Sequence, residues 1–288
     1  MPVIVAVINT GIDPGHFVFE GHLAGFGWDY VTERPGGFDV TNGRDDDHDG
    51  FVDESYGHGT HVAGTVLAFD PAAHILPMRV LDADGNGSAF ALARAIEDSV
   101  DAGASFINLS LSVTEPSLPV AIALHHAWKH GVAVFTSAGN LGKKKVLFPG
   151  NFSLSQFPVF ARRISNDIPR GFDPVVTVSS VDDHDVKSSF ASWGPEVDLV
   201  APGEGIYSAF PGNRVAWWSG TSMACAVATG CASLLLSSGY TYSAPPVVDA
   251  LVSTGHSVNW QNPAYWGMLG AGRINVWHAN MELWHHSH

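Results

Sequence analysis

Five short, largely apolar runs rich in β-branched residues limit what this chain can fold into. Val3–Ile8, Ile75–Val80, Phe106–Leu109, Val132–Thr136 and Val175–Val178 have few polar positions, so each strand needs cover on both faces. Longer helical patterns lie between them. "SAFALARAIEDSVDAG", Ser88 to Gly103, has an N-cap serine, helical periodicity and a closing glycine. "PVAIALHHAWKHG", Pro119 to Gly131, repeats the scheme with proline at the start and glycine at the end. The alternation predicts right-handed βαβ units: an α/β fold, a three-layer sandwich with a mainly parallel central sheet and helices on both faces. Ligands of such sheets bind at the carboxyl ends of the strands. The expected organisation is one domain over 1–288, ending in a flexible tail at about 281–288. Two long irregular regions, 15–57 and 141–172, are candidate functional or ion-stabilised loops.

Charge narrows the partners. Lys+Arg 14 against Asp+Glu 28 gives a net charge of −14, which disfavours nucleic acid and anionic membrane surfaces. No apolar run is long enough to cross a bilayer. The N-terminus enters a strand at once, without the charged start and cleavage site of a signal peptide. Cys225 and Cys231 lie six positions apart on one predicted helix and point in different directions, so both read as small buried packing residues.

Three segments carry chemistry. "YGHGTHVAGTV" places His58 between glycines at the start of a short apolar helix. "WWSGTSMACAVATG" places Ser222 at another helix start, where a serine has an exposed hydroxyl and a free backbone N–H. "FTSAGN" ends a strand with Asn140, whose amide can donate a second hydrogen bond to an oxyanion. Singly, each has an ordinary structural reading: a cap, a structural histidine, a turn. Together, in the order strand-end amide, His, Asn, Ser, they resemble the subtilisin-like serine proteases. The segments AVINTGID, GHGTHVAGTV, LPMRVLDADGNGS, INLSLS, SAGN, SSFASWGPEVDLVAPGEGIYS, SGTSMA and LGAGRINVWHA run in family order from about residue 3 to 280.

That resemblance implies Ser222 as nucleophile, His58 as general base and then acid, and Asn140 with the Ser222 N–H as oxyanion hole. His61 is structural, because the first histidine of the family pattern is the catalytic one. Protein or peptide substrates are expected to bind as an extended strand, between Gly85-Asn86-Gly87 and Ser110-Leu111-Ser112. Ser137, Ala138 and Gly139 would line the primary specificity pocket. Ser112 replaces the usual glycine and narrows that pocket, and Leu141 suggests an apolar residue before the scissile bond unless it packs under the following insertion. The family also implies an extracellular, monomeric enzyme with a propeptide or protein inhibitor as partner, although the usual segment before the first strand and a prodomain are missing here.

One position departs from the pattern where it matters most. The family's third catalytic residue is the acid of Asp-Ser/Thr-Gly at the end of the first strand, and this chain has Asn9-Thr10-Gly11. Asp13 lies past a turn and should aim elsewhere. A neutral amide cannot stabilise the imidazolium as a carboxylate does, and an amide that donates to the histidine favours the wrong tautomer. The expectation is a serine endopeptidase of low activity, with an introduced Asn9 as the first reading. A natural pseudoprotease that binds extended peptides without efficient cleavage is the alternative. Sedolisin-like hydrolases, which use Glu, Asp and Ser, are opposed by the His58 segment.

The acidic stretch "NGRDDDHDGFVDESYG" adds a cation expectation. Asp45, Asp47, Asp49 and Asp53 place carboxylates at spacings that can wrap a hard ion. Tyr56 stands where an EF-hand loop needs its last acid. The resemblance makes structural Ca2+ the expected ion, in a loop leading to His58; an ion-free acidic turn is the other reading.

Overall fold

The computed structural model describes residues 2–164, 173–239, 241 and 243–287. Residues 165–172 of the second irregular region and His288 of the tail lie outside the described residues. The strands are β1 (Ile4–Asn9), β2 (Trp28–Asp29), β3 (Arg34–Pro35), β4 (His74–Arg79), β5 (Phe106–Leu109), β6 (Ala133–Ser137), β7 (Val175–Val181), β8 (Leu199–Pro202), β9 (Ile206–Phe210) and β10 (Arg214–Trp218). The helices are α1 (His58–Phe69), α2 (Ala89–Asp101), α3 (Leu118–Lys129), α4 (Pro158–Ile164), α5 (Thr221–Ser237), α6 (Ala244–Ser253) and α7 (Val276–Ser287).

Eight strands form one sheet in the order β3-β2-β4-β1-β5-β6-β7-β8. Every pairing in it is parallel except that of β2 with β3. β9 and β10 form a separate antiparallel hairpin. The two-residue period of β1 shows why the chain needs both layers. Val5 and Val7 pack in a core shared with α1, α5, α6 and α7. Ala6 and Ile8 point the other way, into a core shared with α2 and α3. The same period puts Asn9 on the α1 side.

The caps match the sequence reading. Ser88 Oγ accepts from the Ala91 N–H at the start of α2, and Gly103 and Gly131 follow α2 and α3 with positive φ. Cys225 and Cys231 are free and buried, and burial pushes each thiol up to about 12. Residues 281–287 form the last turns of α7, because the helix has an apolar side to bury: Leu283 is 4% exposed and joins the core that holds Ala279 and Leu251.

The crossing of α1 and α5 brings the two catalytic segments together. It is close because Gly230 has no side chain: a Cβ there would stand 2.8 Å from both Val66 O and Phe69 Cβ. Gly230→Ala is therefore expected to destabilise the protein by about 1–3 kcal/mol. Calorimetry should show this as a Tm lowered by about 2–10 °C. An unchanged melt would mean that the two helices can move apart without penalty.

Candidate active site

Three adjacent strands deliver the site. Asn9 ends β1, Ser110 follows β5, and Ala138–Asn140 follow β6, all at the carboxyl edge of the parallel sheet. Above them α1 begins at His58, and Ser222 is the second residue of α5. The two glycines flanking this junction explain the fit of strand to helix. A Cβ on Gly59 would lie 2.0 Å from Gly11 O, and Gly11 itself has φ +99° with its backbone against Phe38. The Gly59 N–H donates to Thr10 Oγ1 at 3.0 Å, tying the first turn of α1 to the end of β1.

That junction sets the central contact. His58 Nδ1 lies 2.7 Å from Asn9 Oδ1. Asn9 is fully buried. Its Oδ1 also accepts from the Thr10 N–H at 2.9 Å, and its Nδ2 faces Ser110 O at 3.5 Å. Burial pushes His58 down to about 4, and the neighbouring His61 adds to the shift. The residue as a whole is half-buried, and no carboxylate acts on the ring to favour the charged form. His61 is structural, as the pattern implies: its Nε2 lies 3.1 Å from Ile206 O and 3.2 Å from Ala216 O. Trp218 stacks on both imidazoles, with centroids 5.7 Å from His58 and 5.1 Å from His61. The sequence reading passed over Trp218; an aromatic four residues before the nucleophile was its signal.

Asn140 meets the start of α5 at Thr221, the residue before Ser222. The first turn of a helix leaves its N–H groups free, so the Ser222 N–H has no intrahelical acceptor. Asn140 is exposed, and its Oδ1 accepts from Thr221 N at 3.0 Å and Thr221 Oγ1 at 2.9 Å. Thr221, another residue missed, thereby fixes the amide and leaves Nδ2 available to donate. The Ser222 hydroxyl points to Ser110 O at 3.3 Å.

Two other acids lie nearby, and both are engaged elsewhere. Asp13 accepts from the N–H groups of Gly212 and Gly15, at 2.7 Å and 3.0 Å. Asp39, pushed up to about 7 by burial, accepts from Gly57 N and Thr60 Oγ1 and so anchors the start of α1.

A groove of about 450 Å³ runs between the two segments expected to flank substrate. Gly85, Asn86 and Gly87 line one side, and Leu111, Ser112 and Val113 line the other. Ser110 is buried, with its hydroxyl within hydrogen-bond distance of Asn108 Oδ1 and Ser222 O. Ser137 and Ala138 are buried, and the Gly139 N–H donates to Thr221 Oγ1 at 3.2 Å. Leu141 is 44% exposed, and Lys143, Lys144 and Lys145 are exposed.

In the acidic loop, the carboxylates of Asp45, Asp47 and Asp49 converge to within 4.8 Å of one another. Loop N–H groups reach them at 3.1–3.2 Å: Asp49 N to Asp45 and Asp47, and Gly50 N to Asp45. An all-oxygen, mostly carboxylate set of this kind suits a hard cation. Asp53 does not join it. Its carboxylate turns back to the Asn42 and Gly43 N–H groups, both at 2.9 Å, because the loop doubles over and needs those donors satisfied. Asp84, which the sequence reading did not select, accepts from the N–H groups of Asp46 and Asp53 and ties the loop to the groove wall.

Comparison with known proteins gives the family. Thermitase from Thermoactinomyces vulgaris is 33% identical over 285 residues, covering 96% of this chain and 87% of that protein. Subtilisin DY from Bacillus licheniformis is 34% identical over 283 residues, covering 95% and 89%. Among solved structures, the protease domain of PatA aligns with a TM-score of 0.76 at 25% identity, over 99% of this chain and 96% of that one. The family profile described as "Subtilase family" matches residues 2–272, a span that includes both helix starts and all three strand ends of the site. The chain belongs to the subtilase family, the subtilisin-like serine proteases.

Proposed function

We propose that the chain is a serine endopeptidase whose triad reads Ser222, His58, Asn9. The observation that carries the reading is the convergence of His58, Ser222 and Asn140 over one sheet edge, with Asn9 2.7 Å from His58 Nδ1. A peptide laid as an extended strand in the groove between Gly85–Gly87 and Leu111–Val113 would present its carbonyl carbon to Ser222 Oγ. His58 Nε2 takes the hydroxyl proton as the Oγ–carbon bond forms. The oxyanion is held by the Ser222 N–H and Asn140 Nδ2. His58 then returns the proton to the leaving amine, and water repeats the cycle to free the acyl group. Ser137, Ala138 and Gly139 would wall the pocket for the residue before the scissile bond, with Leu141 favouring an apolar one. The family setting is an extracellular monomer. Among the described residues no helix is long and apolar enough to cross a membrane.

Activity of this form should be low. In the trypsin case, changing the triad aspartate to asparagine lowers kcat about 10⁴-fold, through the wrong tautomer and the lost charge together. The buried neutral amide also favours a second reading, a pseudoprotease that holds extended peptides without cutting them efficiently. Asn9→Asp separates the two. A rise in kcat/KM of about 10²-fold or more on casein or on Phe- and Leu-containing peptides supports the protease. Tight peptide binding with no rise supports the pseudoprotease.

The pH profile follows from the same contact. His58 must be neutral to accept a proton, and with burial holding it near 4 the acid limb of kcat/KM should lie at about pH 4. Asn9→Asp puts a negative charge beside Nδ1, favours the imidazolium and should move that limb to higher pH. A limb that stays in place would show that residue 9 does not govern the charge of His58.

Asp45, Asp47 and Asp49 would hold a structural Ca2+, tethering the loop that leads to His58. At a concentration about 100-fold above Kd, the ion would stabilise the fold by about 2.7 kcal/mol. EDTA should then lower Tm by about 5–10 °C, reversed by Ca2+ in the native chain and not in Asp47→Asn. No EDTA effect would remove the site.

A further inference from the structure

We propose that Asn9 is a working positioning residue: the groups around its amide fix it so that only the productive His58 tautomer fits. The inference rests on the protease reading of His58 and Ser222, and it corrects the expectation that an asparagine here imposes the wrong tautomer. Everything turns on which end of the amide faces the imidazole.

Two fixed backbone groups decide that. The Thr10 N–H points at one end of the Asn9 amide from 2.9 Å, and it can only donate. Ser110 O lies 3.5 Å from the other end, and it can only accept. The oxygen therefore belongs beside Thr10 and the NH2 group beside Ser110. Turning the amide over would set NH2 against N–H and oxygen against oxygen. Asn9 is fully buried, so water cannot relieve either clash. Each lost bond shifts the population on the order of tenfold, so the turned amide would be disfavoured about a hundredfold.

With the amide so held, Oδ1 is the atom 2.7 Å from His58 Nδ1, and it has only lone pairs to offer. A protonated Nδ1 donates to it. An unprotonated Nδ1 would face lone pair with lone pair at hydrogen-bond distance. His58 therefore carries its proton on Nδ1 and keeps Nε2 free, the form that can accept from Ser222 Oγ. The Trp218 indole stacked on the ring, and the Thr10 Oγ1 bond to Gly59 N, limit the ring's freedom to escape this geometry. What the asparagine lacks is the charge that steadies the imidazolium. Of the two losses an Asp-to-Asn change can bring, this chain would suffer one, so the gain on Asn9→Asp should fall short of 10⁴-fold.

The test reads the tautomer directly and does not depend on turnover. Long-range proton–nitrogen correlation on histidine-labelled protein at pH 7 shows which ring nitrogen of His58 is protonated, with the signal assigned by its loss in His58→Gln. The expected result is an Nδ1–H tautomer in the native chain and a shift toward Nε2–H in Asn9→Ala. That variant should also lose about tenfold further in any residual kcat/KM. An Nε2–H tautomer in the native chain overturns the proposal, and so does an Nδ1–H population that Asn9→Ala leaves unchanged. A chain that shows the Nδ1–H form yet cleaves nothing, even as Asn9→Asp, would sink the protease reading and leave the amide's role standing.

Discussion

The contact on which the rest of this molecule depends is the clamp between the end of β1 and the first turn of α1. Gly59 rests on Gly11 O with no room for a Cβ, and the Gly59 N–H is held by Thr10 Oγ1. That clamp fixes where α1 starts. The Gly230 crossing then fixes α5 against α1, and with it the distance between the segments that carry Ser222 and His58. A packed core transmits such constraints because it is nearly incompressible. The segments that carry His58 and Ser222 are thus positioned by backbone approach at three glycines.

The hydrogen-bond network around the site is built on main-chain groups as well. Ser110 O receives both Asn9 Nδ2 and Ser222 Oγ. Thr221 receives Gly139 N and gives two hydrogen bonds to Asn140. Of these, the backbone N–H and C=O groups cannot change their donor or acceptor character. An aspartate and an asparagine have nearly the same shape, so one can replace the other with little repacking, but the change adds a charge and puts an acceptor in place of the Nδ2 donor that faces Ser110 O. In a buried, low-dielectric setting that charge matters more than it would at the surface. Burial, with the neighbouring His61 adding to it, drives His58 toward the neutral form, and a neutral amide does nothing to oppose it.

Much of this was legible in the amino-acid order. The doubly apolar runs gave the parallel sheet, and glycine, serine and proline at the helix ends gave α2 and α3 to within a few residues. The glycine-flanked His58 and the Gly220-Thr221-Ser222 run gave the two helix starts. Misreadings had local causes. Asp53 looks like its acidic neighbours in sequence, but the loop folds back and uses it to satisfy Asn42 and Gly43. The histidine-rich end looks polar and loose, yet Leu283 docks it as helix. Trp218 and Asp84 went unselected because their roles depend on segments far away in the chain.

The sequence by itself determined the layers, the order of the elements, the family and the atoms available for chemistry, because periodicity, glycine placement and residue type are local properties. Only the tertiary structure decided how the Asn9 amide is turned. That orientation depends on Thr10 N–H and Ser110 O arriving at opposite ends of one buried side chain, and Ser110 lies 101 residues away, just past the end of a neighbouring strand. A residue's donors and acceptors can be read from its name; which of them faces the histidine is set by the fixed groups that packing brings around it.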